Sequence, residues 1–181
     1  MSYTKFACLL FAFACCISCG KDEEDNDTNS KEIYLRYKVD GVQKDFTSTT
    51  AFWGSNGGNI WAYLDGTSSI LEFEWDNSSQ VTGADILALE GKQFSFNDTD
   101  SIYANFSLEV NTINAMSGVT GNPYPVNFVK VTSVEEDTRF PNIVPEKMYL
   151  VQGTFKCEVD DGGSEHYSIT DGEFSLIFQE E

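Results

Sequence analysis

IYLRYKVDGVQKDF, residues 33–46, is the stretch on which the fold turns. Ile33, Leu35, Tyr37 and Val39 alternate with Tyr34, Arg36 and Lys38, the period of two of a strand with one buried face. Asp40-Gly41 follows. Both central positions of a type I′ hairpin turn need positive φ, which Asp and Gly tolerate. A two-residue turn at this point sets Val39 across from Val42 and Leu35 across from Phe46, and on the other face it sets Arg36 across from Asp45. Apolar meets apolar and plus meets minus, so turn chemistry and register agree.

The same signature recurs along the chain. Residues 51–66, AFWGSNGGNIWAYLDG, read as a second hairpin turning within Asn56-Gly57-Gly58, with the competing glycines leaving its register open. Leu71, Phe73 and Trp75 alternate with Glu72, Glu74 and Asp76, which places those acids on a solvated face. Ile102, Ala104, Phe106, Leu108 and Val110 alternate with polar residues, and Phe128–Val134 is a further strand. Val151, Phe155, Cys157 and Val159 face one way. Asp160-Asp161-Gly162-Gly163 is then expected to turn the chain, and Asp171-Gly172 to turn it again into Phe174, Leu176 and Phe178. Only Ala84–Leu89 offers a helical turn. Short strands separated by turn signals predict an all-β domain, an antiparallel β-sandwich of about eight to ten strands with little or no helix. The proline-bearing stretches 122–125 and 140–145 belong in loops or at edges.

Charge narrows the partners. The 181 residues hold 11 Lys+Arg against 29 Asp+Glu, a formal net charge of −18. A polyanion with no basic stripe is not built to bind nucleic acid or anionic head groups. Aromatic residues make up 14% of the chain, enough apolar surface to argue for a packed core. Four of the five cysteines, Cys8, Cys15, Cys16 and Cys19, crowd the N-terminus. Cys157 therefore stands alone in the domain and reads as a small buried hydrophobe.

Residues 1–19, MSYTKFACLLFAFACCISC, have the layout of a secretory signal: one positive charge at Lys5, an apolar run from Phe6 to Ile17, then small residues. The run falls short of the roughly 20 apolar residues a membrane-spanning helix needs. Cys16-Ile17-Ser18-Cys19 resembles a lipobox, and Gly20-Lys21-Asp22-Glu23-Glu24-Asp25 resembles the export signal of Bacteroidota surface lipoproteins, carried by Lys21, Asp22, Glu23 and Glu24. Gly153-Thr154-Phe155 and Ile169–Phe174, with the Val39–Phe46 hairpin, resemble the turns of an uncharacterised group of Bacteroidota β-sandwich lipoproteins. That resemblance implies a signal peptide over 1–18, lipidation of Cys19, a flexible acidic tether over 19–32 and a β-sandwich domain over 33–181. It also implies a membrane partner through the lipid anchor and an address on the extracellular face of the outer membrane. It implies no activity.

Catalytic sets are hard to assemble from this inventory. His166 is the only histidine, so serine triads, cysteine–histidine dyads and three-histidine zinc sites lack their parts. Asp160 with Asp161, and Asp98 with Asp100, match no calcium-loop spacing and read as solvated turns. The expectation is therefore no catalytic residue, no metal and no cofactor. Trp53, Trp61 and Tyr63 around the glycine turn are the candidate ligand-binding residues, either packed into the sandwich or exposed as a platform; Trp75, in series with Leu71 and Phe73, reads as core. The leading functional expectation is a non-catalytic binding module for glycan or an envelope partner. A structural or adhesion component of the envelope ranks second, and a carboxylate-based glycoside hydrolase third.

Overall fold

The computed structural model describes residues 31–76, 80–96, 100–110, 113–117, 127–139, 146–160 and 165–181, without the side chains of 109–110 and 113–117. Cys19, Lys21, Asp22, Glu23 and Glu24 lie outside the described residues, as do the proline stretches 122–125 and 140–145 and the Asp161–Gly163 turn. The compact unit spans Glu32–Glu181.

Its strands are β1 (Ile33–Val39), β2 (Val42–Ser48), β3 (Ala51–Asn56), β4 (Asn59–Leu64), β5 (Ile70–Trp75), β6 (Gln93–Phe94), β7 (Ile102–Val110), β8 (Ile113–Ser117), β9 (Phe128–Asp137), β10 (Met148–Asp160) and β11 (His166–Gln179). One short helix, α1 (Gly83–Leu87), interrupts them. Every strand pairing is antiparallel. One sheet runs β2-β1-β11-β10-β9-β6 and the other β3-β4-β5-β7, with β8 joining β7 to the far end of β10. The result is the antiparallel β-sandwich expected from the periodicity. Among the described residues it has eleven strands, the extra ones including β6, too short for any pattern to betray.

The first hairpin forms as its sequence dictates. Asp40 and Gly41 take φ of 48° and 82°, Val39 opposes Val42, Leu35 opposes Phe46, and Arg36 Nε reaches Asp45 at 3.0 Å. Between the sheets, Leu35, Ile60, Leu64, Leu71, Phe73, Phe106, Phe155, Phe174 and Phe178 are fully buried. Their rings meet edge-on or tilted: Phe73 to Phe178 at 5.5 Å and Phe106 to Phe155 at 4.8 Å between centroids. Such pairs add about 0.5–1.5 kcal/mol each beyond the area they bury. Cys157 sits in this core opposite Ile169, with no solvent exposure.

Asp171-Gly172 does not turn the chain. β11 runs straight through it, and both neighbouring strands shift register there, between Arg36 and Lys38 on β1 and between Phe155 and Cys157 on β10. Asp171 has a φ of 50°, so the dipeptide is a bulge that absorbs an extra residue within a continuous strand. Gly172 is required for space: a Cβ there would lie 2.5 Å from the Phe155 carbonyl oxygen.

One end of the sandwich is closed by α1 and its flanks. Thr82 caps the helix through a reciprocal pair with Asp85, and Val81, Ile86 and Leu89 are fully buried. At that end Glu181 ties the layers together: its Oε2 accepts from Val81 N at 2.8 Å and from Gly58 N, in the β3–β4 turn, at 3.2 Å.

Candidate functional site

The β3–β4 hairpin turns through Gly57 and Gly58, both at positive φ (62° and 98°), with Asn56 opposite Asn59. That register assigns every ring in the hairpin to a face. Ile60, Ala62 and Leu64 are fully buried, so Trp53, which opposes Ala62, points inward and packs against the core. Trp61 and Tyr63 alternate with those residues and lie on the outer face, each partly exposed. Trp53 therefore does not join them. Trp75 is likewise half-buried against the core.

Trp61 lies flat on the outer face because the residue beneath it is Gly54. A Cβ added to Gly54 would come within 2.1 Å of the indole Cζ2 and 2.6 Å of Cε2, so the ring occupies the space any other residue would fill. Tyr63 stacks on Trp61 at 5.9 Å and 19°, and Phe52, opposite Tyr63 in register, stacks on Tyr63 at 4.9 Å and 15°. Three near-parallel rings thus line the outer surface of a sheet edge, and Phe52 is 40% exposed.

Polar groups continue the row across the sheet. Trp61 opposes Glu72, and Glu72 opposes Asn105; one step along, Asn59 opposes Glu74, which opposes Tyr103. The Glu72 carboxylate accepts hydrogen bonds from the side chains of Asn105 and Asn59. Burial pushes its pKa up, and the Glu74 carboxylate beside it adds to the rise. The freely solvated acid expected from alternation alone is half-buried and held between two amides. Chemically, the face offers a flat π surface bordered by a carboxylate that is ready to accept hydrogen bonds. Among the described residues no group of three or more His, Cys, Asp or Glu is placed to hold a metal ion.

Comparison with known proteins adds no family: no family model, no curated protein and no solved structure matches the chain. The site therefore stands on its own geometry. Of the three candidate residues, Trp61 and Tyr63 come together and Trp53 is separated from them by the sheet. Phe52, Gly54, Asn59 and Asn105 were not singled out by the sequence, and Glu72 stood there only as a solvated acid. The signal was present in the parity of a two-residue turn, which puts Phe52, Gly54, Trp61 and Tyr63 on one face once Asn56 is paired with Asn59.

Proposed function

We propose that this domain is a non-catalytic glycan-binding module, displayed at the cell surface by lipid attached to Cys19, and that its site is the outer face of β3, β4, β5 and β7. The observation that carries the reading is the indole of Trp61 seated flat over Gly54 beside the Glu72 carboxylate and its two amides. Sugar rings present a flat array of C–H groups on one face and hydroxyls around the rim. The first suits stacking on an aromatic ring and the second suits donation to a carboxylate. Rigid aromatic side chains supply this contact area with little rotamer entropy to lose. Glu72, Glu74 and the overall negative charge favour uncharged glycans over uronate-rich or sulfated ones.

Binding is favoured over hydrolysis by how the acids are placed. A glycosidase sets two carboxylates on either side of the bond it cleaves. Glu72 and Glu74 project side by side from one strand and one face.

Two measurements test the proposal. A panel of uncharged and acidic polysaccharides, run in affinity gels against the 33–181 domain, should show retardation by uncharged glycans that Trp61→Ala removes. Retardation unchanged in Trp61→Ala, or none with any glycan, refutes the site. Intact-mass analysis of native protein should find an N-terminus at Cys19 carrying acyl chains; an uncut, unmodified terminus refutes the anchor. A single chain gives only marginal membrane attachment, so several are expected.

A further inference from the structure

At the opposite end of the sandwich from α1, a half-open cavity of about 390 Å³ lies between the first hairpin and the β4–β5 connection. This is within the usual range of small-ligand sites, about 300–1,000 Å³. It is walled on one side by the inward face of the edge strand β2, Val42, Lys44 and Phe46, and on the other by Gly66–Ser69 and Leu108. Val42 is 61% exposed although it belongs to the apolar face of the hairpin. The floor is fixed by a buried hydrogen bond of 2.6 Å between the Tyr37 hydroxyl and Ser69 Oγ. Tyr167 contributes a further ring to the wall.

One cation lines this mixed apolar and hydroxyl-bearing space. Lys44 opposes Tyr37 in register and, among the described residues, holds neither an ion pair nor a side-chain hydrogen bond. Arg36, Lys38, Arg139 and Lys147 all sit against carboxylates. The carboxylate that shares the cavity wall, Asp40, is engaged elsewhere, accepting from Ser168 N at 2.8 Å. An ammonium without a counter-ion above an apolar floor is complementary to a ligand with one negative charge and a greasy body. The wider negative charge of the protein is screened beyond about 10 Å at 0.1 M salt and does not reverse this local match.

We propose that the groove binds an amphipathic carboxylate, its head group on Lys44 Nζ and its apolar body against Val42, Phe46 and Tyr167. An inward lysine on an edge strand also deters strand addition. That role needs only the charge and predicts no ligand, so the two readings separate in a titration.

The experiment is calorimetric titration of the 33–181 domain with dodecanoate below its micelle concentration, with dodecanol and dodecylammonium as neutral and cationic counterparts. Dodecanoate should bind at one site and raise the thermal midpoint, Lys44→Arg should keep that affinity, and Lys44→Met should lower it at least fivefold. Dodecanol should bind more weakly than dodecanoate, with no difference between wild type and Lys44→Met, and dodecylammonium should not bind. Ser68→Trp, at the exposed rim, should fill the groove and abolish binding without touching Lys44, which keeps the test alive should Lys44→Met fail to fold. No binding of dodecanoate, equal binding of the three probes, or an unaffected Ser68→Trp overturns the proposal.

Discussion

Alanine at position 54 isolates the seat of Trp61. In an ordinary strand interior, Gly→Ala is stabilising by roughly 0.5–1 kcal/mol, because glycine gives up more backbone freedom on folding. Here the new Cβ would overlap the indole at 2.1 Å, and the atoms it meets are side-chain carbons of Trp61, so the ring must swing off the sheet. An off-rotamer tryptophan costs about 0.5–1.5 kcal/mol, and losing the stack on Tyr63 a similar amount. The balance is a net loss of about 1 kcal/mol for Gly54→Ala. In a Trp61→Ala background nothing remains to clash, and the same change should stabilise by roughly 0.5–1 kcal/mol. The sign should therefore invert across a double-mutant cycle, with a coupling of about 2 kcal/mol. Urea unfolding of the four proteins measures it, and tryptophan emission of Gly54→Ala should shift as the indole leaves its seat. If the two single effects simply add, Gly54 is not what holds Trp61, and the flat platform loses its physical basis.

Three further outcomes follow from the interior. Tyr37→Phe leaves the Ser69 hydroxyl, 2% exposed, without its partner at 2.6 Å; a loss of about 1–3 kcal/mol is expected in thermal unfolding, most of it recovered in Tyr37→Phe/Ser69→Ala. Burial, then repulsion from Glu74, raises Glu72 above its ordinary value of 4.5, so the fold favours the protonated acid. That preference is fully present below the unfolded value and is lost as pH rises through the folded one. Glu72→Gln should thus gain on wild type as pH rises above 4.5, keep that gain once the folded acid has ionised, and lose it as pH falls below 4.5, a pH series of melting curves being the check. Burial, with Glu158 nearby, drives the Cys157 thiol well above its usual range. An aromatic disulfide reagent should accordingly label it only at the rate of unfolding, and fast labelling of native protein would contradict its place in the core.

Much of the fold was legible because the strands carry two independent signals that agree. In β1–β2 the alternation, the Asp40-Gly41 turn and the Arg36–Asp45 pair each demand the same register, and the register is found. The helical turn expected at Ala84–Leu89 forms at Gly83–Leu87, where Thr82 and Asp85 cap one another and Ile86 and Leu89 are buried, a pairing the sequence reading did not use. Asp171-Gly172 misled because the residues that permit a hairpin turn also permit a bulge, both needing positive φ. What separates the two is the length of strand available for pairing on either side, and β1 and β10 both continue past the bulge. That information is non-local. Met148–Leu150, buried on both faces, shows no alternation for a period-of-two reading to catch, and in Phe174–Phe178 the reading caught one buried face and missed the other.

The candidate site was harder to read for a sharper reason: its composition depends on parity. Gly54, Gly57 and Gly58 all allow a turn, and lengthening the turn by one residue, from two to three, changes which residues share a face. A two-residue turn puts Trp53 and Trp61 on opposite faces; a three-residue turn would put them on the same one. Composition cannot choose, but packing can. With Gly57 and Gly58 as the central pair, Ile60, Ala62 and Leu64 all enter the core, and Gly54 falls under the indole of Trp61. A three-residue turn would instead bring Asn59, Trp61 and Tyr63 to the face of Trp53, burying them against the opposite sheet and leaving three aliphatic side chains in water. Burial of the aliphatic row is favoured by about 25 cal/mol per Å² of apolar surface, and leaving the Asn59 amide buried without a partner would cost more. The exposed rings of the platform are thus a consequence of which neighbours make the better core, and Gly54 is the residue that lets the consequence lie flat.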